Sequence, residues 1–408
     1  MQISVLFFLP LIILVSSEEA NLSSQPSFLP YSWFDYPTSG CPSYTCKQLS
    51  QTLSNGTCAY YNSISDTFYI QKCPETQFCI PNQNDKNYSC VFQKISQPKS
   101  YPGEKCAASS DCDPEYSLGC GENFLCEGIK SNGKCTVSEQ CNPGLSCQEI
   151  SGGFGFCKPL ISIGNIGCLS DFDCIYNAGC NKISNTNSNL NICVEYGSLQ
   201  PGVEISVNSC IRNQNLMCSS GTCSNINGGN QYFCTENLES LNEAPARCYN
   251  TNVKDCISKT DPKTSYFIQG SCICGYNEDR FGYCSLNPGD KAYIQFRKIE
   301  MKWLSSEEVK NCNTKRRFWP HSEMCANSFW NERDISAMKY YYLSMIEFNQ
   351  IRDINECALE VFLKEYSKSK ENYESYDDAE DFTTCILNCI LDFGSPESTA
   401  FCMASCLL

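Results

Sequence analysis

Three successive segments of the chain repeat one arrangement of cysteines. They read "GEKCAASSDCDPEYSLGCGENFLC", "NGKCTVSEQCNPGLSCQEISGGFGFC" and "NIGCLSDFDCIYNAGCNKISNTNSNLNIC". In each, five residues separate the first two cysteines: Cys106 and Cys112, Cys135 and Cys141, Cys168 and Cys174. The third and fourth follow as Cys120 and Cys126, Cys147 and Cys157, Cys180 and Cys193. Gly103, Gly133 and Gly167 stand just before the first cysteine, and an apolar residue (Leu125, Phe156 or Ile192) precedes the fourth. A period of this kind marks an array of small units. Units of about 40 residues bury too little apolar surface to fold unaided and need covalent staples. Looser copies flank the array, upstream at Cys58, Cys73, Cys79 and Cys90 and downstream at Cys210, Cys218, Cys223 and Cys234. Asn, Gly and Ser dominate between the cysteines, which predicts turns and short hairpins.

Whether these cysteines are staples, metal ligands or reactive thiols depends on the compartment. The N-terminus "MQISVLFFLPLIILVSSEEA" holds an apolar run from Ile3 to Val15, too short to span a bilayer. With small residues at Val15 and Ser17 it reads as a signal peptide cleaved after Ser17. No later stretch is long and apolar enough to serve as a transmembrane anchor. The expected location is therefore secreted or extracellular, reached through the secretory pathway. Disulfides persist in that oxidising setting. The count of 34 cysteines in 408 residues is even, as a closed framework requires. Asn21, Asn55 and Asn87 head sequons that could carry glycans. The net charge of −15 argues against nucleic acid as a partner.

Other chemistries fare worse. Structural zinc favours closely spaced Cys or His ligands, whereas the repeats space theirs by five residues or more and the chain has one histidine. Asp111, Asp113, Glu115, Ser117, Gly119 and Glu122 fall at the ligand places of a calcium loop, but Tyr116 occupies the place that needs glycine. His321, in "FWPHSEMC", is the one imidazole available for nucleophilic catalysis, with Cys325 four residues on and Trp319 beside it. No nucleophile elbow or phosphate-binding loop accompanies it. The sequence calls for no catalytic residue, no cofactor and no metal.

From about Asn287 the cysteines thin out. Ile335, Met338, Tyr342, Met345, Phe348, Ile351, Ile354, Ala358 and Phe362 recur three or four apart, the pattern of one buried helix face. In the tail, Cys385 and Cys389 precede Cys402 and Cys406 around "GSPE". Spacings of four put each pair on one helical face. Pairing Cys385 with Cys406 and Cys389 with Cys402 would rivet a helical hairpin.

The run Cys106 to Cys193, with "SSDC", "SEQC" and "DFDC" ahead of "LGC", "LSC" and "AGC", resembles the Dickkopf N-terminal cysteine-rich region. The resemblance implies an extracellular, disulfide-stapled binding module. The chain has no adjacent cysteine pair and no basic linker, so no ligand is implied. "CICGYNEDRFGYC" likewise resembles the closing half of an EGF-like module, for which Cys234, Cys248 and Cys256 would open and Cys272, Cys274 and Cys284 close. The expected fold is small disulfide-rich modules with short β-hairpins in tandem, followed by an α-helical C-terminal domain ending in the disulfide-stapled hairpin. The boundaries are a signal peptide at 1–17, a cysteine-rich region at 18–100, four-cysteine repeats at 101–234, an EGF-like segment at 235–286 and the helical domain at 287–408. The modules are expected to stack end to end. The expected function is binding or structural assembly outside the cell, with a protein or glycan partner and with self-association open. A secreted protease inhibitor or receptor-directed effector is the alternative, and an enzyme in the C-terminal domain a more distant one.

Overall fold

The computed structural model of the protein describes residues 41–46, 56–82, 87–92, 99–182, 190–205, 216–225, 232–236, 247–248, 256–259, 267–269, 272–286, 290–346 and 353–376. Outside these residues lie the signal segment, Asn21, Asn55, Cys210 of the downstream copy, Phe348 and Ile351 of the helical face, and the hairpin of Cys385, Cys389, Cys402 and Cys406.

Each cysteine unit is a tight turn facing a hairpin. In the first repeat a single 3-10 turn, Ser109–Asp111, separates Cys106 from Cys112. Strand Gly119–Cys120 then pairs with Cys126–Glu127, placing Cys120 directly opposite Cys126. Side chains opposite each other on antiparallel strands leave the same face. Both hairpin sulfurs therefore meet the turn, and each takes one of its cysteines: Cys106–Cys120 and Cys112–Cys126. The second repeat sets Cys147 opposite Cys157 and bonds Cys135–Cys147 and Cys141–Cys157. The third sets Cys180 opposite Cys193 and bonds Cys168–Cys180 and Cys174–Cys193. First-to-third and second-to-fourth pairing is thus the connectivity, of the three that four cysteines allow.

The looser copies obey the same rule. Upstream, Cys79 faces Cys90, with bonds Cys58–Cys79 and Cys73–Cys90. Downstream, Cys223 faces Cys234, Cys218 bonds Cys234, and Cys223 is itself disulfide-bonded. Ser100, Ile129, Ile161 and Leu199 each bridge to a second cysteine: Cys112, Cys141, Cys174 and Cys218. That shared entry puts the fourth repeat in step with the other three. Residues 248–284 form a further crossed unit through Cys248–Cys272 and Cys256–Cys284. The six-cysteine EGF-like set does not assemble, because Cys218 holds Cys234 and Cys274 leaves its hairpin to bond Cys41.

The upstream unit sits in a five-stranded sheet. Its strands are β1 (Ser43–Thr45), β2 (Thr57–Asn62), β3 (Thr67–Ile70), β4 (Phe78–Pro81) and β5 (Tyr88–Val91), in the order β1-β3-β2-β5-β4. Five helical stretches follow: α1 (Lys291–Leu304), α2 (Glu323–Phe329), α3 (Glu332–Ile346), α4 (Glu356–Phe362) and α5 over 364–376. The apolar face predicted from Ile335 to Phe362 is therefore not one helix. Asp353 takes a left-handed φ of 49°. Asn355 then starts α4 afresh, its side chain accepting the Ala358 N–H at 2.9 Å.

The helices do not form a body apart from the repeats. One core joins Tyr176, Tyr196, Leu216 and Met217 of the repeats to Phe296, Trp303, Met338 and Tyr342 of the helices. A second joins Tyr44, Phe68 and Tyr88 of the sheet to Ala358 and Leu363, and Cys46–Cys357 ties that junction. Repeats three and four thus pack against the helices, where the sequence reading expected modules stacked end to end. The physical reason is that the repeats' own cores are small clusters of cysteines, so their larger apolar groups find cover elsewhere.

Candidate functional site

The residues between the first two cysteines have structural work in all three clear repeats. The first residue of the turn accepts the N–H of the third cysteine: Ser109 from Cys120 at 3.2 Å, Ser138 from Cys147 at 3.0 Å, Asp171 from Cys180 at 2.7 Å. The third folds back onto the turn's entry. Asp111 accepts from Ala107 and Ala108, Gln140 from Thr136, and Asp173 from Leu169 and Ser170, all at 2.9–3.0 Å. The N–H groups of Ala107 and Ala108 hold the Asp111 carboxyl below its ordinary range. A carboxamide in Gln140 accepts as a carboxylate does, which is why the second repeat can dispense with the charge. These are caps, and the two aspartates of the calcium pattern serve as acceptors within the turn: Asp113 in turn accepts the Glu115 N–H at 2.9 Å. Asp173→Ala is expected to lower stability by about 1–2 kcal/mol, read by chemical denaturation. Adding a calcium chelator to the wild type should leave its curve unchanged.

Sulfur groups that would suit a metal by distance do occur. Cys106, Cys112 and Cys126 lie within 4.8 Å of one another, as do matching sets in the other units. They are crossed disulfides seen end on. Every cysteine among the described residues is bonded, so these sets offer no thiolate.

A short polar strip aligns the repeats. Asn313 donates to the carbonyls of Ser138, Glu139 and Cys141 in repeat two at 2.9–3.2 Å. Thr314 donates to Phe172 in repeat three at 2.9 Å. Arg317, 0 % exposed, donates to Cys174 and Ile175 at 3.0 Å and also to the Asp171 carbonyl. Its guanidinium lies 5.2–5.9 Å from the rings of Phe172, Tyr176 and Phe318. Arg316 faces buried Glu104 of repeat one at 3.8 Å and stacks over Tyr101 at 4.2 Å. Arg297 of α1 donates to Leu216 and Cys218 in repeat four. Side chains between 297 and 317 therefore read all four repeats, largely through backbone carbonyls. The glycines answer this closeness. A Cβ at Gly103, where φ is 92°, would run into the Asn311 carbonyl, and one at Gly221 into Arg297.

Behind the strip lie buried carboxylates. Glu300 of α1 is 2 % exposed. Burial pushes its carboxyl up to about 8, against the opposing pull of the Trp319 N–H and Arg297. Burial also raises Asp171 to about 6, and raises Glu104. The hydroxyl of Tyr196, fully buried near Arg317, Asp171 and Glu300, is held well above its usual range by burial.

The imidazole candidate loses its thiol. Cys325 is bonded to Cys312, so no Cys–His pair exists there. Trp319 is buried in the shared core, and His321 is half-buried, with its pKa lowered by burial and then by Arg316. A cavity of about 430 Å³ lies elsewhere, between β4 and α4. Lys72, Glu75, Phe78, Glu360 and Lys364 line it; Lys72 pairs with Glu360 at 2.9 Å, and Lys364 donates to the Glu75 backbone carbonyl at 2.8 Å. Asn87, at the edge of β5, accepts the Tyr61 N–H at 3.1 Å through its oxygen, so a glycan would leave from its nitrogen.

Several large apolar side chains of the repeats face outward. Leu118 is 71 % exposed, Phe124 67 % and Leu169 78 %. Phe154 and Phe156 stand on one face of a hairpin, with the Lys134 ammonium 3.8 Å above the Phe154 ring. None of these stands out in the sequence as a site residue. The signal available was that cysteines fill the repeat cores and leave large side chains no inside to occupy. No protein-family model matches the chain, and no curated protein or solved structure matches it.

Proposed function

We propose that the protein works in the secretory pathway or outside the cell as a binding or assembly protein, and that its repeats are a scaffold presenting apolar side chains to a protein or glycan partner. The observation that carries this reading is the inversion within the repeats. Disulfides and caps form the interior, while Leu118, Phe124 and Leu169 stand in solvent. Exposed large apolar groups on a rigid frame are what recognition surfaces use. The dense cross-linking fits an oxidising compartment, and no helix among the described residues is long and apolar enough to cross a membrane. The resemblance of Cys106–Cys193 to the Dickkopf N-terminal region points the same way. On this reading the chain has no catalytic role.

The test is a variant carrying Leu118→Ser, Phe124→Ser and Leu169→Ser. Surface changes of this kind should leave stability within about 0.5 kcal/mol per site. Self-association in sedimentation, or retention on the cell surface or matrix that secretes the protein, should fall at least tenfold. A variant that folds normally and keeps both properties would reject the outward faces as the binding surface.

A further inference from the structure

Four tyrosines meet where α3 packs antiparallel on α5. The Tyr340 ring stacks on Tyr373, with centroids 4.9 Å apart and planes inclined by 11°. Tyr341 lies 5.4 Å from Tyr373, and their hydroxyl oxygens are 2.9 Å apart. Tyr366 packs 6.0 Å from Tyr340. At the far end Tyr376 donates to Glu332 at 3.1 Å, which fixes the antiparallel sense. Tyr340, Tyr341 and Tyr373 are all half-buried.

This arrangement has a chemical consequence. When a tyrosine loses one electron and one proton, the spin of the resulting phenoxyl radical sits on the oxygen and on the ring carbons ortho and para to it. The para carbon already carries the side chain, so bonds form at the ortho carbons, which flank the hydroxyl. Two hydroxyls in hydrogen-bond contact bring those carbons together before any oxidation. Holding reactants in place in this way removes the entropic cost of their meeting. Neither α3 nor α5 contains a cysteine. A carbon–carbon tie would do there what disulfides do in the repeats.

We propose that Tyr341 and Tyr373 are an oxidative cross-linking site, joined as dityrosine when the protein meets hydrogen peroxide and a haem peroxidase. Each phenol gives up one electron and one proton. The two radicals couple through one ortho carbon each, and the hydrogens on those carbons move to the oxygens, restoring both aromatic rings. The peroxide accepts the two electrons and two protons and leaves as two waters. The product is two hydrogens lighter and links α3 to α5 within one chain.

The experiment treats dilute full-length protein with a haem peroxidase and hydrogen peroxide. The expected result is dityrosine fluorescence in the monomer band and a monomer mass lower by two hydrogens. After reduction and trypsin, the peptide beginning at Tyr340 should be joined to the one beginning at Glu371. Tyr341→Phe and Tyr373→Phe keep the packed rings, and each should lose the cross-link while melting as the wild type does. Tyr60→Phe, which alters an exposed tyrosine on β2, should retain it. Fluorescence that persists in Tyr373→Phe monomers, or cross-links found only between chains, would overturn the proposal. A bond that survives in Tyr341→Phe would overturn the assignment to Tyr341.

Discussion

Arg317→Met is expected to destabilise the protein by about 3–5 kcal/mol, and to uncouple the helices from repeat three before the repeats themselves open. Methionine keeps much of the side chain's bulk and removes its donors. Three carbonyls, on Asp171, Cys174 and Ile175, then lose a buried partner. The Asp171 and Ile175 carbonyls keep the N–H groups of Cys174 and Ala178, so the loss combines the orphaned Cys174 acceptor, about 1–3 kcal/mol, with the hydrogen bonding of a charged donor, about 1.5–3 kcal/mol. Arg317→Lys should recover only part of the loss, since an ammonium cannot reproduce the planar fork. Hydrogen exchange locates the effect: amides of α1 and of the 3-10 turn Asp171–Asp173 should lose protection, while those of the hairpin Cys147–Cys157 should keep it. A fall in stability spread evenly over both regions, or none at all, would show that Arg317 does not couple them.

Raising the pH from 6.5 to 9 is expected to weaken the wild type and to leave Glu300→Gln largely unaffected. Burial raises the Glu300 pKa from the ordinary carboxyl value of 4.5 to about 8, so at pH 6.5 the folded state holds it protonated. Its contribution is fully present below about 4.5 and is lost as pH rises through about 8. A shift of that size corresponds to about 4–5 kcal/mol over the whole range from 4.5 to 8, of which about 2 kcal/mol falls above pH 6.5. Asp171, raised to about 6 by burial, acts in the same direction at lower pH. His321 opposes both, because its lowered pKa makes stability fall as pH drops through its range. The window from 6.5 to 9 therefore reports mainly on Glu300. Chemical denaturation at several pH values should give converging curves, with the Gln variant the more stable at pH 9. Parallel curves for the two proteins would mean that Glu300 is not the group responsible.

The cysteine spacing made the units legible because a closed repeat must place its sulfurs at fixed intervals from a turn and a hairpin. It also carried the looser copies, from Cys58 to Cys90 and from Cys210 to Cys234, into the same class. The acidic residues before each second cysteine were visible too, but their role was not. Asp111 and Gln140 look unlike as metal ligands and alike as acceptors for a turn's N–H groups, and only coordinates show which property is in use. The continuous helical face from Ile335 to Phe362 misled because periodicity registers spacing and is blind to a left-handed residue at Asp353.

The sequence by itself determined that this chain is built from small disulfide-closed units followed by a helical region, since the local spacing of cysteines and of apolar residues suffices for that. Tertiary structure alone decided which cysteines pair and that Cys274 and Cys357 reach back to Cys41 and Cys46. It also decided that the strip from Asn313 to Arg317 binds the repeats, and that Tyr341 meets Tyr373. The reason is common to all of these. Such contacts are made with backbone carbonyls or with side chains far away in the chain, and neither kind of partner leaves a local pattern in the order of residues.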